Sequence, residues 1–300
     1  MVAVQGAVAA PEGSVDSGAA WHYGDPLGEQ RRLVSGEGFV DLSQRPVVQV
    51  SGEDRLTWLH TLTSQHLSQL GPDVWTQALI LSPHGHVEHH LTLVDDGEVT
   101  LAHVEPGTEQ TLISYLESMK FWSKVEVSVR HDVGVVWRPG PTGMGDGASY
   151  EFVSPRTIGS LAGPAAGTWA FEALRVAAGI PRLGFETDHR TIPAEVGWID
   201  VAVHLDKGCY RGQETVARVN NLGRPPRRLV HLHLDGSADN LPSRGDLLMH
   251  DGRKVGFVGT VAQHYELGPI ALGMVKRNLP EDAALQTESG LPVTAEHPPD

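Results

Sequence analysis

The chain has 300 residues, which is enough for two or three packed units rather than a single core. Its formal net charge of −14 disfavours broad electrostatic binding to nucleic acid, and its single cysteine excludes an intramolecular disulfide and suits a reducing compartment. No apolar run approaches the roughly 20 residues that a bilayer crossing needs, and the start from Met1 to Pro11 lacks the basic leader of a signal peptide. We therefore expect a monomeric cytoplasmic protein without a membrane partner.

The first part of the chain predicts a tail followed by an α+β unit. Residues 1–27 are small, polar and aperiodic, a composition typical of a disordered tail. Residues 28–138 show the order β-α-β-β-β-α-β, which predicts a ferredoxin-like layer with an extra strand. The predicted elements are strands at 47–50, 78–81, 87–94, 99–104 and 125–129, a helix that starts at Ser51 and carries leucines as far as Leu70, and a helix at 108–120.

A histidine-rich run from His84 to His90 lies in one of these strands and has the composition of a metal site. Strand alternation puts His86, Glu88 and His90 on one face, whereas His89 shares the apolar face with its leucine neighbours. No fourth ligand is evident in the sequence. A solvated polar face is therefore the favoured interpretation, and no metal ligand is assigned.

The remainder of the chain predicts a second α+β unit and a small barrel. Residues 139–147, rich in Gly and Pro, read as a linker, and residues 148–228 as the second unit, with a helix near 169–178. From 229 to 278, apolar and polar residues alternate between recurring glycines, which predicts a small antiparallel β-barrel. Residues 279–300 read as another loose tail. The fold class predicted is α+β, with two ferredoxin-like-type units and a C-terminal barrel.

The only cysteine lies in the motif with the strongest chemical character in the chain. Two cations flank the sulfur and favour its thiolate form, and an amide and a carboxylate follow. The alternative is a buried structural cysteine beside a turn, but the many polar residues next to Cys209 in sequence argue against an apolar pocket around the sulfur. The motif is Lys207, Gly208, Cys209, Tyr210, Arg211, Gly212, Gln213 and Glu214.

A basic segment from Asp206 to Arg228 reverses the local charge of an acidic protein. Its arginines make it a candidate site for an anion such as a polyglutamate tail, a phosphate or an RNA backbone. A solvated linker without a ligand explains the same pattern, and both interpretations stay open.

The motif around Cys209 resembles the signature of the YgfZ-type folate-binding proteins, relatives of the glycine-cleavage T-protein (an aminomethyltransferase) of the YgfZ/GcvT family. The run from Arg175 through Glu195 is also similar to that family, and the resemblance covers roughly residues 28–278. It implies three domains around a central hole that admits tetrahydrofolate or a derivative. It also implies a role in iron–sulfur cluster assembly or repair and, through it, in tRNA modification. The folate-binding candidates are Arg175, Glu195, Arg211 and Glu214.

The chain departs from the T-protein at two positions that matter for catalysis. The resemblance places the catalytic aspartate of the T-protein at His89 or His90, and a glutamate that contacts the pterin ring at Ala177. The T-protein-type carboxylates are therefore missing, so no catalytic residue is assigned and an enzymatic activity is not expected.

Three functions remain as hypotheses. The first is a folate-binding accessory protein that supports iron–sulfur client or assembly proteins through Cys209; because clusters usually take four ligands, this role is transient, as a mixed disulfide, a persulfide or one ligand in a shared complex. The second is a tetrahydrofolate-dependent aminomethyl or methyl transferase that uses a histidine as base. The third is an RNA-binding or scaffold module, for which Tyr210 is the only nearby stacking partner.

Overall fold

The structure is a computed structural model that describes residues 5–141, 144, 147–236, 240–280 and 282–296. The strands are β1 (Val8–Ala9), β2 (Ala20–His22), β3 (Phe39–Asp41), β4 (Val47–Ser51), β5 (Thr76–Leu81), β6 (Val87–Asp95), β7 (Val99–His103), β8 (Glu126–Arg130), β9 (Gly134–Arg138), β10 (Ser149–Val153), β11 (Ala165–Ala166), β12 (Arg227–Leu234), β13 (Leu247–His250), β14 (Arg253–His264), β15 (Gly268–Lys276), β16 (Leu285–Thr287) and β17 (Pro292–Glu296). The α-helices are α1 (Pro26–Val34), α2 (Arg55–Leu62), α3 (Glu109–Ser118), α4 (Thr168–Ala177), α5 (Ile199–Ala202) and α6 (Gln213–Leu222).

The first unit is an antiparallel sheet covered by two helices. Its strands lie in the order β5-β6-β7-β4-β8, and α2 and α3 share one core with the apolar face of the sheet. In β6 the buried residues are every second one from Val87 to Asp95, as strand alternation requires. The predicted order β-α-β-β-β-α-β is confirmed. The helix α2 is shorter than predicted, because Ser51 ends β4 and Thr63 is already extended.

The second unit is discontinuous in sequence. Its sheet has the order β10-β9-β3-β11, in which β3 pairs antiparallel with β9 and parallel with β11. The strand β3 and the helix α1 precede the first unit in the chain, whereas α4 follows it, and Leu33 of α1 and Phe171 of α4 share one core. The boundaries 28–138 and 148–228 therefore differ from the structure, which inserts the first unit into the second.

The segment before residue 28 is not the disordered tail that its composition predicts. Residues 5–27 include the β1–β2 hairpin and the start of α1, and the Trp21 ring stacks on Trp169 with centroids 5.7 Å apart. Asp16 and Ala20 are buried. This segment packs against α4 with small residues, so its sequence shows no periodic pattern of apolar residues. Residues 1–4 lie outside the described part of the chain.

The C-terminal barrel is closed and larger than predicted. Its strands lie in the order β12-β15-β14-β13-β16-β17, and β12 also pairs with β17, which completes the ring. The predicted barrel is confirmed. The tail expected from residue 279 is wrong over residues 282–296, because β16 and β17 are two strands of the barrel. Residue 281 and residues 297–300 are outside the described residues, as are 142, 143, 145 and 146 of the expected linker.

Three α-helices were not predicted, α1, α5 and α6. The helix α6 follows the cysteine motif directly and lies between Gly212 and Gly223, both with positive φ. Across the described ranges, no helix combines the length and the apolar character that a membrane crossing requires.

Candidate functional site

A small cavity lies between the first and second units. Its volume is about 70 Å³, and the sheet of the first unit contributes Gln77, His90 and His103 to its wall. The second unit contributes Tyr150 and Phe171, and the segment after α4 closes another side. The other lining residues are Arg45, Thr92, Val104, Glu105, Met144, Arg175, Ile180, Pro181 and Arg182. This volume admits several water molecules but is smaller than the ~150 Å³ cavity that holds a benzene ring. A pterin ring would enter only if side chains at the mouth moved.

Two arginines behind the cavity are fully paired. The Arg175 guanidinium donates to Glu172 Oε2 at 2.7 Å and to Thr260 Oγ1 of the barrel at 2.6 Å, and it forms an ion pair with Glu186 at 3.2 Å. Burial alone raises the pKa of Glu172, but Arg175 and Arg182 outweigh it, so that the pKa of Glu172 is lowered. This carboxylate is therefore ionised and bound to arginines, which makes it a poor proton acceptor.

The second of these arginines joins three parts of the chain. The Arg182 guanidinium donates to both Asp16 oxygens at 2.7 and 2.8 Å and, through Nε, to Glu105 Oε2 at 2.7 Å. It also lies 3.3 Å from Glu172 Oε1. Asp16 comes from the N-terminal segment, Glu105 from the loop after β7, and Glu172 from α4. Arg182 thus ties the wall of the cavity to both units.

Arg45 is the cavity arginine without a close carboxylate. It is 7% exposed, its nearest carboxylate oxygen, on Glu105, is 3.9 Å away, and its guanidinium lies over the Phe171 ring. Its Nε and the Nε2 of His103 are buried and have no hydrogen-bond partner among the described residues. Buried polar atoms in native proteins are nearly always satisfied by protein, water or a ligand. These two atoms are polar groups of residues in the cavity wall that water or a ligand can satisfy.

The structure places on opposite faces of β6 the two histidines between which the resemblance leaves the position of the catalytic aspartate open. His90 lies in the cavity wall, where its Nε2 is 2.8 Å from Gln77 Oε1 and its ring contacts Trp198. His89 lies on the opposite, apolar face of β6, as strand alternation predicts. Burial and then the charge of Arg45 lower the pKa of His90 to about 3, and burial lowers the pKa of His89 to about 4. Both imidazoles are neutral at pH 7.

The cysteine motif lies outside the cavity. Cys209 is exposed, and no residue of the motif is among those that line the cavity in the described part of the chain. Tyr210 packs into a core cluster with Trp198, the tryptophan that His90 contacts. The motif therefore joins the cavity through one layer of aromatic side chains rather than by direct contact.

The two cations of the motif have partners other than the sulfur. The Lys207 ammonium donates to the carbonyl oxygens of His60, Thr63 and Gln65 at the end of α2. The Arg211 guanidinium bonds Glu88 at 3.1 and 3.3 Å and lies over the Tyr115 ring of α3. In the structure both cations fix the motif to α2, α3 and β6, and their effect on the thiolate stays a prediction.

Gly212 in the motif is required by close approach and by backbone conformation. Its φ is +83°, and a Cβ here would lie 2.7 Å from Ser82 O and 2.9 Å from Gly85 Cα. Gly85 packs in turn against Thr215 of α6. No side chain fits at Gly212, so the motif rests directly on the turn between β5 and β6.

The four folate-binding candidates do not converge. Arg175 lines the cavity, as described above. Glu195 bonds Arg227 at 2.8 Å and caps the backbone N–H of Ile192 at 3.0 Å. Arg211 is held by Glu88, and Glu214 is exposed in the first turn of α6. Three of the four therefore lie away from the cavity.

The basic segment is only partly available to an anion. Arg227 binds Asp188 at 2.7 Å in addition to Glu195, and Arg228 donates to Leu279 O. Arg218 and Arg224 are exposed. The candidate ligands His86, Glu88 and His90 are also divided, since Glu88 pairs with Arg211 and His90 faces the cavity. Within the described residues, no group of three or more His, Cys, Asp or Glu side chains is placed to hold a metal ion.

Sequence reasoning missed the residues that matter most for the cavity. Arg45 precedes Pro46 at the start of β4, and a lone charge beside a buried strand is the only local signal for it. Arg182 falls inside the family-like run but has no distinctive spacing. Ala177, where the resemblance expects a pterin contact, instead packs against the core cluster between α4 and the barrel.

Comparison with known proteins relates this chain to glycine-cleavage T-proteins. Residues 227–297 match the family of the glycine cleavage T-protein C-terminal barrel domain. An aminomethyltransferase of Chromobacterium violaceum is 31% identical over 129 residues, covering 40% of this chain and 33% of that protein. A chloroplastic protein of Arabidopsis thaliana, described as a transferase, is 28% identical over 266 residues, covering 72% of this chain and 60% of that protein.

A solved structure extends the likeness to the whole chain. The crystal structure of the glycine cleavage system aminomethyltransferase T from Bartonella henselae superposes with a TM-score of 0.81, covering 98% of this chain and 93% of that one, at 16% sequence identity. At this identity the match concerns the fold alone. The matched regions span one third and three fifths of the two sequence relatives. The chain is therefore T-protein-like in its fold and in the sequence of its barrel.

Proposed function

We propose that this protein binds a reduced folate, tetrahydrofolate or a derivative, in the cavity between the first and second units. In this proposal it is a YgfZ-type accessory protein that supports iron–sulfur cluster assembly or repair, and through it tRNA modification, by means of Cys209. The observation that carries the proposal is a cavity that has unpartnered polar atoms and a neutral histidine, His90, in its wall; His90 is one of the two positions at which the T-protein resemblance expects the catalytic carboxylate.

The polar residues of the cavity suit a pterin ring chemically. A pterin offers a ring carbonyl that accepts hydrogen bonds and an amide edge that donates them. Arg45 Nε is an unpartnered donor, Gln77 presents an amide, and Tyr150 and Phe171 present aromatic faces. Tetrahydrofolate, when bound, supplies ring nitrogens that carry a one-carbon group.

The same residues are poorly suited to aminomethyl transfer. A general base works best when its pKa lies near the operating pH, and the pKa of His90 is about 3. Glu172 is ionised but held by Arg175 and Arg182. A positioned base typically contributes 10²- to 10⁴-fold to rate, so its loss makes turnover negligible. This argues against the alternative of an aminomethyl transferase.

Cys209 suits a transient exchange with a partner. It is exposed, and among the described residues no group of three or more His, Cys, Asp or Glu side chains is placed to hold a metal ion. Its thiolate can be one ligand of a shared cluster. It can also take the outer sulfur from a persulfide-bearing partner, which then leaves as a thiolate.

Equilibrium titration of tetrahydrofolate tests the cavity. We expect saturable binding by the wild type, and at least tenfold weaker binding by Arg45→Gln, because the variant loses the charged donor while keeping a polar side chain. The matched control, Arg156→Gln, changes an exposed arginine and should bind like the wild type. Equal affinity of Arg45→Gln and wild type would place the folate elsewhere. Robust aminomethyl transfer with a lipoyl carrier would instead favour the transferase.

A further inference from the structure

Two aromatic side chains project from the turn that follows α3. Phe121 is 79% exposed and Trp122 is 97% exposed, whereas the other six tryptophans are buried or half-buried. Phe121 also has a φ of +39°, a left-handed conformation that is rare for a bulky residue. Exposed aromatic pairs of this kind mark contact sites, because water contact with so much apolar surface is unfavourable. We call Phe121 and Trp122 the aromatic tip.

The base of the aromatic tip is fixed to the body of the first unit. Trp58 of α2 donates its indole N–H to Met119 O at 3.1 Å, and the backbone N–H of Lys124 donates to Asp54 Oδ2 at 2.8 Å. These bonds lie on either side of the tip. The two side chains are therefore presented on a braced turn rather than on a free loop.

The aromatic tip is connected to the cysteine motif along two helices. Arg211 of the motif lies over Tyr115 of α3, and Phe121 follows Tyr115 by six residues, on the order of 10 Å along the helix direction. Lys207 of the motif caps the last carbonyls of α2, whose Trp58 holds the base of the tip. Exposed Val201 and Leu205 lie just before the motif in sequence. The tip and the cysteine motif are thus linked by contacts through α2 and α3.

The charge around the tip restricts what can cover it. Four acidic residues lie near the tip in sequence or in its supporting contacts: Glu53, Asp54, Glu117 and Glu126. Two lysines lie among them, Lys120 paired with Glu117 and Lys124 paired with Glu53. The rim therefore carries an excess of two negative charges. An anionic lipid surface and a second copy of this acidic chain are both opposed by this rim and by the net charge of −14. A partner protein with an apolar pocket and a basic rim is complementary to it.

We infer that Phe121 and Trp122 form the anchor by which an iron–sulfur client or assembly protein, bearing an apolar pocket with a basic rim, docks beside Cys209. This inference rests on the proposed function, because it supplies the partner on which the thiol acts. Tryptophans that become buried when two proteins bind are among the residues that most often dominate the binding energy of an interface. The tip then supplies affinity, and the motif supplies chemistry.

The test is complementation by the full-length double variant Phe121→Ser/Trp122→Gln in a strain that lacks the protein. We expect iron–sulfur enzyme activity to fall at least tenfold, with an unchanged melting temperature and unchanged tetrahydrofolate affinity, because neither side chain is packed. Glu126→Lys should cause a smaller loss by reversing a rim charge. The matched control Leu267→Ser removes an exposed apolar side chain on the barrel and should behave as wild type. Full complementation by the double variant overturns the inference.

Two further measurements test the choice of occupant. Sedimentation of the wild type, and flotation with phosphatidylglycerol vesicles, should both show no association that depends on the aromatic tip. Association lost in the double variant in either experiment overturns the inference in favour of a second copy or a lipid surface. Cys209→Ser separates this inference from the proposed function. If Cys209→Ser restores iron–sulfur enzyme activity while the double variant does not, the thiol role is contradicted and the docking surface is supported. If the double variant restores this activity while Cys209→Ser does not, the docking surface alone is contradicted.

Discussion

Three histidines lie in or beside the sheet of the first unit and are uncharged there: His89 and His103 are buried, and His90 is half-buried. Burial is the main cause in each; the charge of Arg45 adds to the effect on His90 and His103. The pKa of His103 is lowered well below 6.5, and that of His90 to about 3. A cavity lined by neutral imidazoles can donate or accept hydrogen bonds without adding charge, which suits a neutral ring.

These histidines make the protein less stable in mild acid. In the unfolded chain each imidazole takes a proton near the ordinary histidine pKa of 6.5, whereas the folded pKa is about 3 for His90 and about 4 for His89. Between pH 6.5 and 4 the unfolded state therefore binds more protons, so the free energy of unfolding decreases as the pH falls. Urea denaturation at pH 7 and pH 4.5 should show this loss.

The variant His90→Gln isolates one of these protons. Its amide can still donate to Gln77, so folding should persist, and the pH dependence of the free energy of unfolding should fall by roughly one proton across this window. His131→Gln, which changes an exposed imidazole, is the control and should retain the wild-type dependence. An unchanged slope in His90→Gln would mean that His90 is charged in the folded protein.

At the scale of elements, Lys207 acts as a cap for a helix that is distant in sequence. The last carbonyls of an α-helix lack intrahelical donors, and at the end of α2 the Lys207 ammonium supplies them. The side chain is buried, so water cannot replace it. The lysine of the cysteine motif is thus a structural residue that positions the loop.

The variant Lys207→Met keeps the length of the side chain and removes its donors. We expect the free energy of unfolding to fall by about 3 kcal/mol, because buried carbonyl oxygens lose a charged partner. Chemical denaturation measures the change. As a control, Lys120→Met removes a half-exposed lysine paired with Glu117 and should change stability little. A loss below about 0.5 kcal/mol in Lys207→Met would show that solvent satisfies these carbonyls.

The elements that could be predicted are those with a period of their own. The strands β4 to β8 and the barrel strands β12 to β15 alternate visibly, and α3 and α4 carry apolar residues at helical spacing. The strands β3 and β11 have three and two residues, too few to show a period, so the discontinuity of the second unit was invisible. The helix α6 was missed because its segment was interpreted from its positive charge alone, although the glycines on either side of it are ordinary helix boundaries.

The candidate site was predictable only in part, for a similar reason. The sequence identified Cys209, Arg175 and the departure at His89 and His90. It could not show that His90 alone faces the cavity or that Arg45 joins it, because these residues are brought together by pairing between β6, β7 and the ends of other elements. Cavities between units leave no periodic signal in a single sequence.

At the scale of the whole molecule, Arg182 is the junction that holds the N-terminal segment to both units. Its bidentate pair with Asp16 is buried, and Asp16 also accepts a hydrogen bond from Gln44 at 2.9 Å. The variant Asp16→Ala leaves part of a buried guanidinium uncompensated, so we expect the free energy of unfolding to fall by about 2 kcal/mol or more. Asp132→Ala, which breaks the exposed pair with Arg130, is the control and should show no measurable change. Equal melting temperatures for the two variants would show that Arg182 is not such a junction.

The substitution Cys209→Ser tests the central claim most directly, when complementation and melting temperature are measured together. Because Cys209 is exposed and its loop is held by Lys207, Arg211 and Gly212, serine should fit without loss of stability. Serine cannot form a persulfide or a soft-metal bond. We expect an unchanged melting temperature and normal tetrahydrofolate binding, but no recovery of iron–sulfur enzyme activity in a strain that lacks the protein. Full recovery by Cys209→Ser would contradict the proposed role of the thiol.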